Sequence, residues 1–276
     1  MRRGVNVWFS GCDMMSEQRY VIGDCLDLLP SIPDKSIDMI LTDLPYGTSG
    51  NKWDSIIDIN RLFFEYLRII KDDCAIVLTA SQPFTSKLIS ENLGVFKYCW
   101  VWDKINPGGG FLNANCRPLL SHEDIVVFSK GGCTNGSKIP MRYIPQKTPR
   151  RFKEQDKLNQ YVQKAKDPKL NHLKKRDLIS VTRTHRHPKT ILTFGNANKN
   201  DVVHSTQKPL SLWEYLIKTY TNEGDMVHDS CLGSGTTLEA CMNTNRNCIG
   251  FEISDEWVGH YVKRLRLDNS KLDNWL

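Results

Sequence analysis

The stretch Met226-Val227-His228-Asp229-Ser230-Cys231-Leu232-Gly233-Ser234-Gly235-Thr236-Thr237, followed by Cys248-Ile249-Gly250-Phe251-Glu252, decides the fold. Its two short apolar runs read as buried strands, and a helical pattern from Thr236 to Asn243 joins them. Each run ends in an acid, Asp229 or Glu252, and a Gly-x-Gly turn follows the first. Strand, glycine turn, helix, strand and terminal acid make one βαβ unit with parallel strands. Glu252 lies 19 residues after Gly233, near the ~20-residue offset at which an acid meets a ribose hydroxyl in dinucleotide folds. Leu238 stands where a third glycine would be, and no Gly-Lys-Ser/Thr forms a phosphate loop. A nucleoside with an amino-acid tail therefore fits better than NAD, because the acids can meet its ammonium and ribose. The alternative is a glycine turn that serves helix–strand packing alone.

Working outward, a second strand ends in chemistry. Ile37-Asp38-Met39-Ile40-Leu41-Thr42-Asp43-Leu44-Pro45-Tyr46-Gly47 is an apolar run closed by an acid, a stiffened turn and an aromatic ring. In an open α/β sheet such a strand delivers those groups to the carboxyl edge, where ligands bind. Pro45 fixes its own φ and biases Leu44 toward extended backbone, so the Asp43 carboxylate and the Leu44 carbonyl can point one way. Two acceptors beside a flat ring suit an exocyclic amine on a planar base. The bland alternative is a strand with an ordinary Pro-Tyr-Gly turn. Further strand patterns at Tyr20–Asp24, Cys74–Thr79, Phe96–Trp102 and Asp124–Phe128 alternate with helical ones after Asn60, Pro83, Pro209 and Asp255. Continuous apolar strands between helices predict a largely parallel sheet covered on both faces.

Composition sets the remaining bounds. With 276 residues, 40% hydrophobic and 25% charged, the chain is an ordinary globular one. It lacks the ~18-residue apolar run of a membrane span. Met14 and Met15 precede the first strand pattern, so residues 1–15 read as a dispensable extension. The nine cysteines form no Cys-x-x-Cys pair and sit mostly in apolar runs; they read as reduced thiols of a cytoplasmic protein. His172, His185 and His187 match no zinc spacing, so no metal is expected. Charge is lopsided. From Lys130 to Lys189 there are 17 Lys and Arg against 4 Asp and Glu, or +13, while the remainder carries 20 and 27, or −7. Residues 16–130 and 191–276 therefore read as an α/β catalytic body, and 131–190 as a basic insert with interleaved aromatics for a polyanion. A disordered basic loop is the competing reading of that insert.

These motifs carry a resemblance. Asp43-Leu44-Pro45-Tyr46 resembles the Asp-Pro-Pro-Tyr signature of S-adenosylmethionine-dependent DNA amino-methyltransferases. Asp229-Ser230-Cys231-Leu232-Gly233-Ser234-Gly235-Thr236-Thr237 is similar to their Asp-Pro-Phe-x-Gly-Ser-Gly-Thr-Thr loop, and His204-Ser205-Thr206-Gln207-Lys208-Pro209 to their His-Pro-Thr-Gln-Lys-Pro segment. The departures are Leu44, Ser205, Ser230 and Cys231. The order of target motif, basic insert and cofactor loop resembles the β-group, over roughly residues 18–267. The resemblance implies a Rossmann-like methyltransferase fold, S-adenosylmethionine as cofactor and base flipping in duplex DNA. It implies catalytic roles for Asp43, Leu44, Pro45 and Tyr46. It implies cofactor contacts from Asp24, Gln207, Lys208, Asp229, Ser230, Cys231, Gly233, Gly235, Thr236, Thr237 and Glu252. It makes residues 131–190 the target-recognition insert, and Asp43 in place of Ser leans toward adenine. Amino methylation of cytosine and a catalytically silent DNA-binding protein stay open as alternatives. So do the recognition sequence, a homodimer, and a separately encoded restriction endonuclease in a bacterial or phage-infected cell. Protein-glutamine and RNA amino-methyltransferases use similar turns, but with the cofactor loop ahead of them.

Overall fold

Ile37–Asp43 (β3) is buried on both faces, which explains its unbroken apolar sequence. Met39 and Leu41 enter one apolar layer and Ile40 the other, all fully buried. The computed structural model describes residues 4–7, 16–47, 55–106, 109–149, 185–197 and 207–265. His204, Ser205, Thr206, His172 and most aromatics of the basic insert lie outside the described residues.

Among the described residues, nine strands form one sheet. Its order is β1 (Gly4–Val7), β2 (Gln18–Ile22), β11 (Asn247–Glu252), β10 (Met226–Asp229), β3, β4 (Ile70–Ala80), β6 (His122–Ser129), β5 (Phe96–Asp103) and β9 (Ile191–Thr193). From β2 to β4 the neighbours run parallel. β1 is antiparallel to β2, and β6 is antiparallel to both β4 and β5. The sheet is thus mostly parallel with two reversed strands, β1 at one edge and β6 within it. Ile125, Val126, Val127 and Phe128 are fully buried, so their apolar pattern carries no sign of strand direction.

Cys25–Leu28 (α1), Ile59–Ile69 (α2) and Phe84–Glu91 (α3) cover one face. Leu210–Tyr220 (α4), Thr236–Asn243 (α5) and Asp255–Leu265 (α6) cover the other. α2 shows why these segments are helical. Asp58 caps it by accepting the Asn60 and Arg61 N–H groups at 3.0 and 3.2 Å, and Leu62, Phe63, Tyr66 and Ile69 form one buried stripe. Each such side chain contributes roughly 1.5–3 kcal/mol through burial. Among the described residues no helix is long and apolar enough to cross a membrane.

The chain divides into two compact units, Met1–Ile144 with Thr190–Leu276, and Pro145–Lys189. In the second, Thr148–Pro149 (β7) pairs antiparallel with His185–Arg186 (β8). The compositional break at Lys130 precedes this boundary. Residues 131–144 belong to the first unit, because Met141 is buried and Arg142 bonds Asp225 at 2.6 Å and Asp73 at 3.2 Å. Counting charge along the chain assigns Arg142 to the insert, but its carboxylate partners lie in the body.

Candidate active site

Four acids stand at the ends of four adjacent strands. Asp24 follows β2, Glu252 ends β11, Asp229 ends β10 and Asp43 ends β3. Parallel pairing brings all four to the sheet's carboxyl edge. From β3 the chain runs outward through β4 and later returns as β10 on the other side of β3. That reversal is where an open α/β sheet leaves its ligand crevice. A cavity of about 1020 Å³ opens there. Asp43, Leu44, Pro45 and Tyr46 line it, together with Asp24, Gln207, Lys208, Asp229, Ser230, Cys231, Gly233, Thr236, Thr237 and Glu252. Gly235 is not among its lining residues.

Asp43 is the most heavily bonded of the four acids. Its Oδ1 accepts the Tyr46 hydroxyl at 2.8 Å and the Thr79 hydroxyl. Its Oδ2 accepts the Lys208 ammonium at 2.6 Å. Lys208 also lies 3.4 Å from Oε2 of Glu123, whose Oε1 accepts Lys104 at 2.5 Å. Burial pulls the Lys208 pKa down, but Asp43 and Glu123 outweigh burial, and the net shift is upward. Lys208 is therefore a buried ammonium held by carboxylates. The Tyr46 ring packs on Phe84 with centroids 5.4 Å apart and planes 25° apart. Burial, then the Asp43 and Glu123 charges, push its phenol well above the usual range, so it stays a neutral donor. Leu44, standing where the signature has proline, is 3% exposed and packs in the cluster that holds Leu78 and Phe84. Core packing of Leu44 thus does part of what a ring would do to stiffen the turn.

The glycine loop is tied from below. Both Glu252 oxygens accept backbone N–H groups, from Gly233 at 2.7 Å and Ser254 at 2.9 Å. Asp229 accepts the Cys231 N–H at 3.0 Å and the Thr237 hydroxyl, while Thr237 accepts Trp213 Nε1–H at 2.9 Å. Burial raises the Asp229 pKa from 3.8 to about 7. Asp24 spends one oxygen capping α1 through the Leu26 N–H at 2.9 Å. Ser230 turns inward. Tyr66 donates to its hydroxyl at 2.8 Å, that hydroxyl donates to Nε2 of His228 at 2.9 Å, and His228 Nδ1–H donates to the Ile249 carbonyl at 3.0 Å. The carbonyl can only accept, which fixes the tautomer. The two glycines differ. A Cβ on Gly233 would meet nothing closer than 4.0 Å, whereas one on Gly235 would fall 2.6 Å from Cβ of Tyr261. Gly233 leaves space toward the cavity; Gly235 lets α5 pack beside α6.

The sequence pattern did not single out Thr79, Phe84, Lys104 or Glu123 for this site. Ser121-His122-Glu123 could have flagged Glu123 only if the reversed direction of β6, which brings its start to this edge, were known.

A family model described as DNA methylase matches residues 37–263. The chain belongs to the DNA methylase family. Among curated relatives of this DNA methylase, M2.DpnII of Streptococcus pneumoniae is 30% identical, covering 90% of each chain. M.HpaI of Haemophilus parainfluenzae is 25% identical over 94% of this chain and 77% of its own. The DNA adenine methyltransferase YhdJ of Escherichia coli is 26% identical over 93% and 86%. The fold matches the M1.HpyAVI–SAM complex with a TM-score of 0.56 at 21% identity, covering 90% of this chain and 99% of that one. It matches the cytosine-N4-specific PvuII DNA methyltransferase with a TM-score of 0.59 at 19% identity, covering 93% and 88%. The methylase cofactor, S-adenosylmethionine, fits the residues present: Gly233 allows close approach, Glu252 and Asp24 keep lone pairs for hydroxyls, and Asp229 can face a cation.

Proposed function

We propose that this DNA methylase transfers a methyl group from S-adenosylmethionine to the exocyclic amine of adenine in duplex DNA. One observation carries the reading: Asp43 with Tyr46, and the Gly233 loop, open onto a single cavity. The amine is inside the base stack, so the target nucleotide must flip out at a cost of a few kcal/mol. Stacking on Tyr46, backed by Phe84, returns roughly 1–3 kcal/mol. Asp43 and the Leu44 carbonyl accept the amine's N–H groups and turn its lone pair toward the donor. S-adenosylmethionine supplies the electrophilic methyl on a sulfonium. The nitrogen takes the methyl, sulfur keeps the bonding pair, and the amine proton passes toward Asp43. Orientation and fixed charge do most of the work.

Donation of the Cys231 S–H to the Cys25 sulfur, together with burial, pushes the Cys231 thiol well up, so this cysteine stays protonated; transfer straight to the amine requires no covalent enzyme intermediate. Adenine is favoured by Asp43 at the head of the signature and by the adenine specificity in YhdJ's name. The basic segment around 145–189 serves as the target-recognition element, given its excess of Lys and Arg and its place between the two motifs. Methylation-sensitive sequencing of DNA from cells that express the chain tests the reading. N6-methyladenine at one short sequence is expected; unmodified DNA would refute it.

A further inference from the structure

Counting lone pairs on Asp43 locates where the target amine lands. A carboxylate offers about four acceptor positions. Tyr46 and Thr79 occupy Oδ1, and Lys208 takes one position on Oδ2. The position left for an amine N–H is on Oδ2, beside the Lys208 ammonium. On adenine and cytosine alike, one of the two ring atoms next to the amine-bearing carbon is a nitrogen that only accepts, N1 or N3. Lys208 carries three N–H donors; one meets Asp43 at 2.6 Å and a second faces Oε2 of Glu123 at 3.4 Å. That Glu123 oxygen is buried with no hydrogen-bond partner among the described residues, so it aims the ammonium without saturating it. Lys208 is only 8% exposed along its side chain, and its Nζ lies 5.8 Å from the centroid of the Tyr46 ring.

We propose that Asp43 and Lys208 form a paired acceptor and donor that binds the amine edge of the flipped base, with Lys208 donating to the ring nitrogen beside the amine. This rests on the methyltransfer reading above and moves Lys208 from cofactor contact to positioning of the base. Such an edge is the one by which flipped bases are read.

The test is a double-mutant cycle between protein and base. Wild type, Lys208→Ala and Lys208→Met are assayed on duplexes carrying adenine or 1-deazaadenine at the target. The methionine keeps the stem packed without a donor. The analogue lacks the ring nitrogen, and any change in its amine reactivity is common to all three proteins and cancels. Wild type is expected to prefer adenine by about tenfold more than either variant does, the size of one hydrogen bond to a charged group. Cofactor affinity should be unchanged. If turnover of the variants is too slow to measure, the same cycle is read as DNA affinity with S-adenosylhomocysteine present. Equal discrimination in wild type and variants would overturn the inference, as would a matching loss of cofactor affinity. If wild type methylates neither duplex, the methyltransfer reading fails and the inference with it.

Discussion

The Ser230 hydroxyl donates to Nε2 of His228 at 2.9 Å beneath the glycine loop. Burial lowers the His228 pKa from 6.5 to about 4, despite its bond to Ile249. Between those values the unfolded chain holds one more proton than the folded one, so this histidine's contribution to stability falls as pH falls. Asp229, raised from 3.8 to about 7, slopes the opposite way over much of the same window. The two must therefore be separated by comparison. Urea unfolding at pH 7 and pH 5 should show wild type losing about 2 kcal/mol more than His228→Gln does. Parallel behaviour of the two proteins would mean that the histidine is not held neutral.

Ser230 stands where the signature has proline, so restoring proline looks like a stabilising change. The structure predicts the reverse. Ser230→Pro removes the N–H that Thr42 accepts at 3.1 Å and the hydroxyl between Tyr66 and His228. Leaving those buried groups unpaired costs about 1–3 kcal/mol each. Ser230→Pro should melt well below wild type, with Ser230→Ala in between.

Asp229 lines the cavity with its pKa near neutrality, about 7. A cationic cofactor favours the ionised form, so cofactor affinity should rise as pH increases through 7. Calorimetric titration from pH 6 to pH 8 checks this. Asp229→Asn should bind more weakly and lose the slope; an unchanged slope would assign it elsewhere.

The two glycines of the loop should fail differently. Gly235→Ala adds a Cβ 2.6 Å from Tyr261 at φ 75° and should cost about 2 kcal/mol or more of stability. Gly233→Ala has open space at φ 50°. Its stability cost should stay near 1 kcal/mol, with the larger loss in cofactor affinity. Unfolding and cofactor titration on both variants separate the two roles.

The strands that carry acids were legible because burial on both faces makes apolar runs, and an acid ending such a run stands out. Asp43, Asp229 and Glu252 were found that way, and the glycine turn marked the loop between them. What escaped depends on which residues meet across the sheet. Nothing local to Ile125–Phe128 reveals that β6 runs backward. The three-residue strand β9 is too short to show a period. Lys208 stands 165 positions from Asp43, and its motif drew attention to the cofactor rather than to the acid it touches. The His228–Ser230–Tyr66 chain likewise joins residues from β10, its following loop and α2, which no spacing rule connects.

Tyr46 has a ring backed by Phe84 and a hydroxyl on Asp43. Tyr46→Ala should lower methylation by about tenfold or more while cofactor affinity holds. Tyr46→Phe keeps the ring and loses only the donor, so it should fall between. Equal loss of cofactor affinity would make the tyrosine structural.

The central claim is that Asp43 holds an adenine amine in front of the methyl donor. Duplex DNA containing the methylated sequence can be incubated with methyl-labelled S-adenosylmethionine, digested to nucleosides and separated by mass. Label is expected in N6-methyl-2′-deoxyadenosine from wild type and none from Asp43→Ala, which should still bind the cofactor. Label in N4-methyl-2′-deoxycytidine, or undiminished transfer by Asp43→Ala, would contradict it.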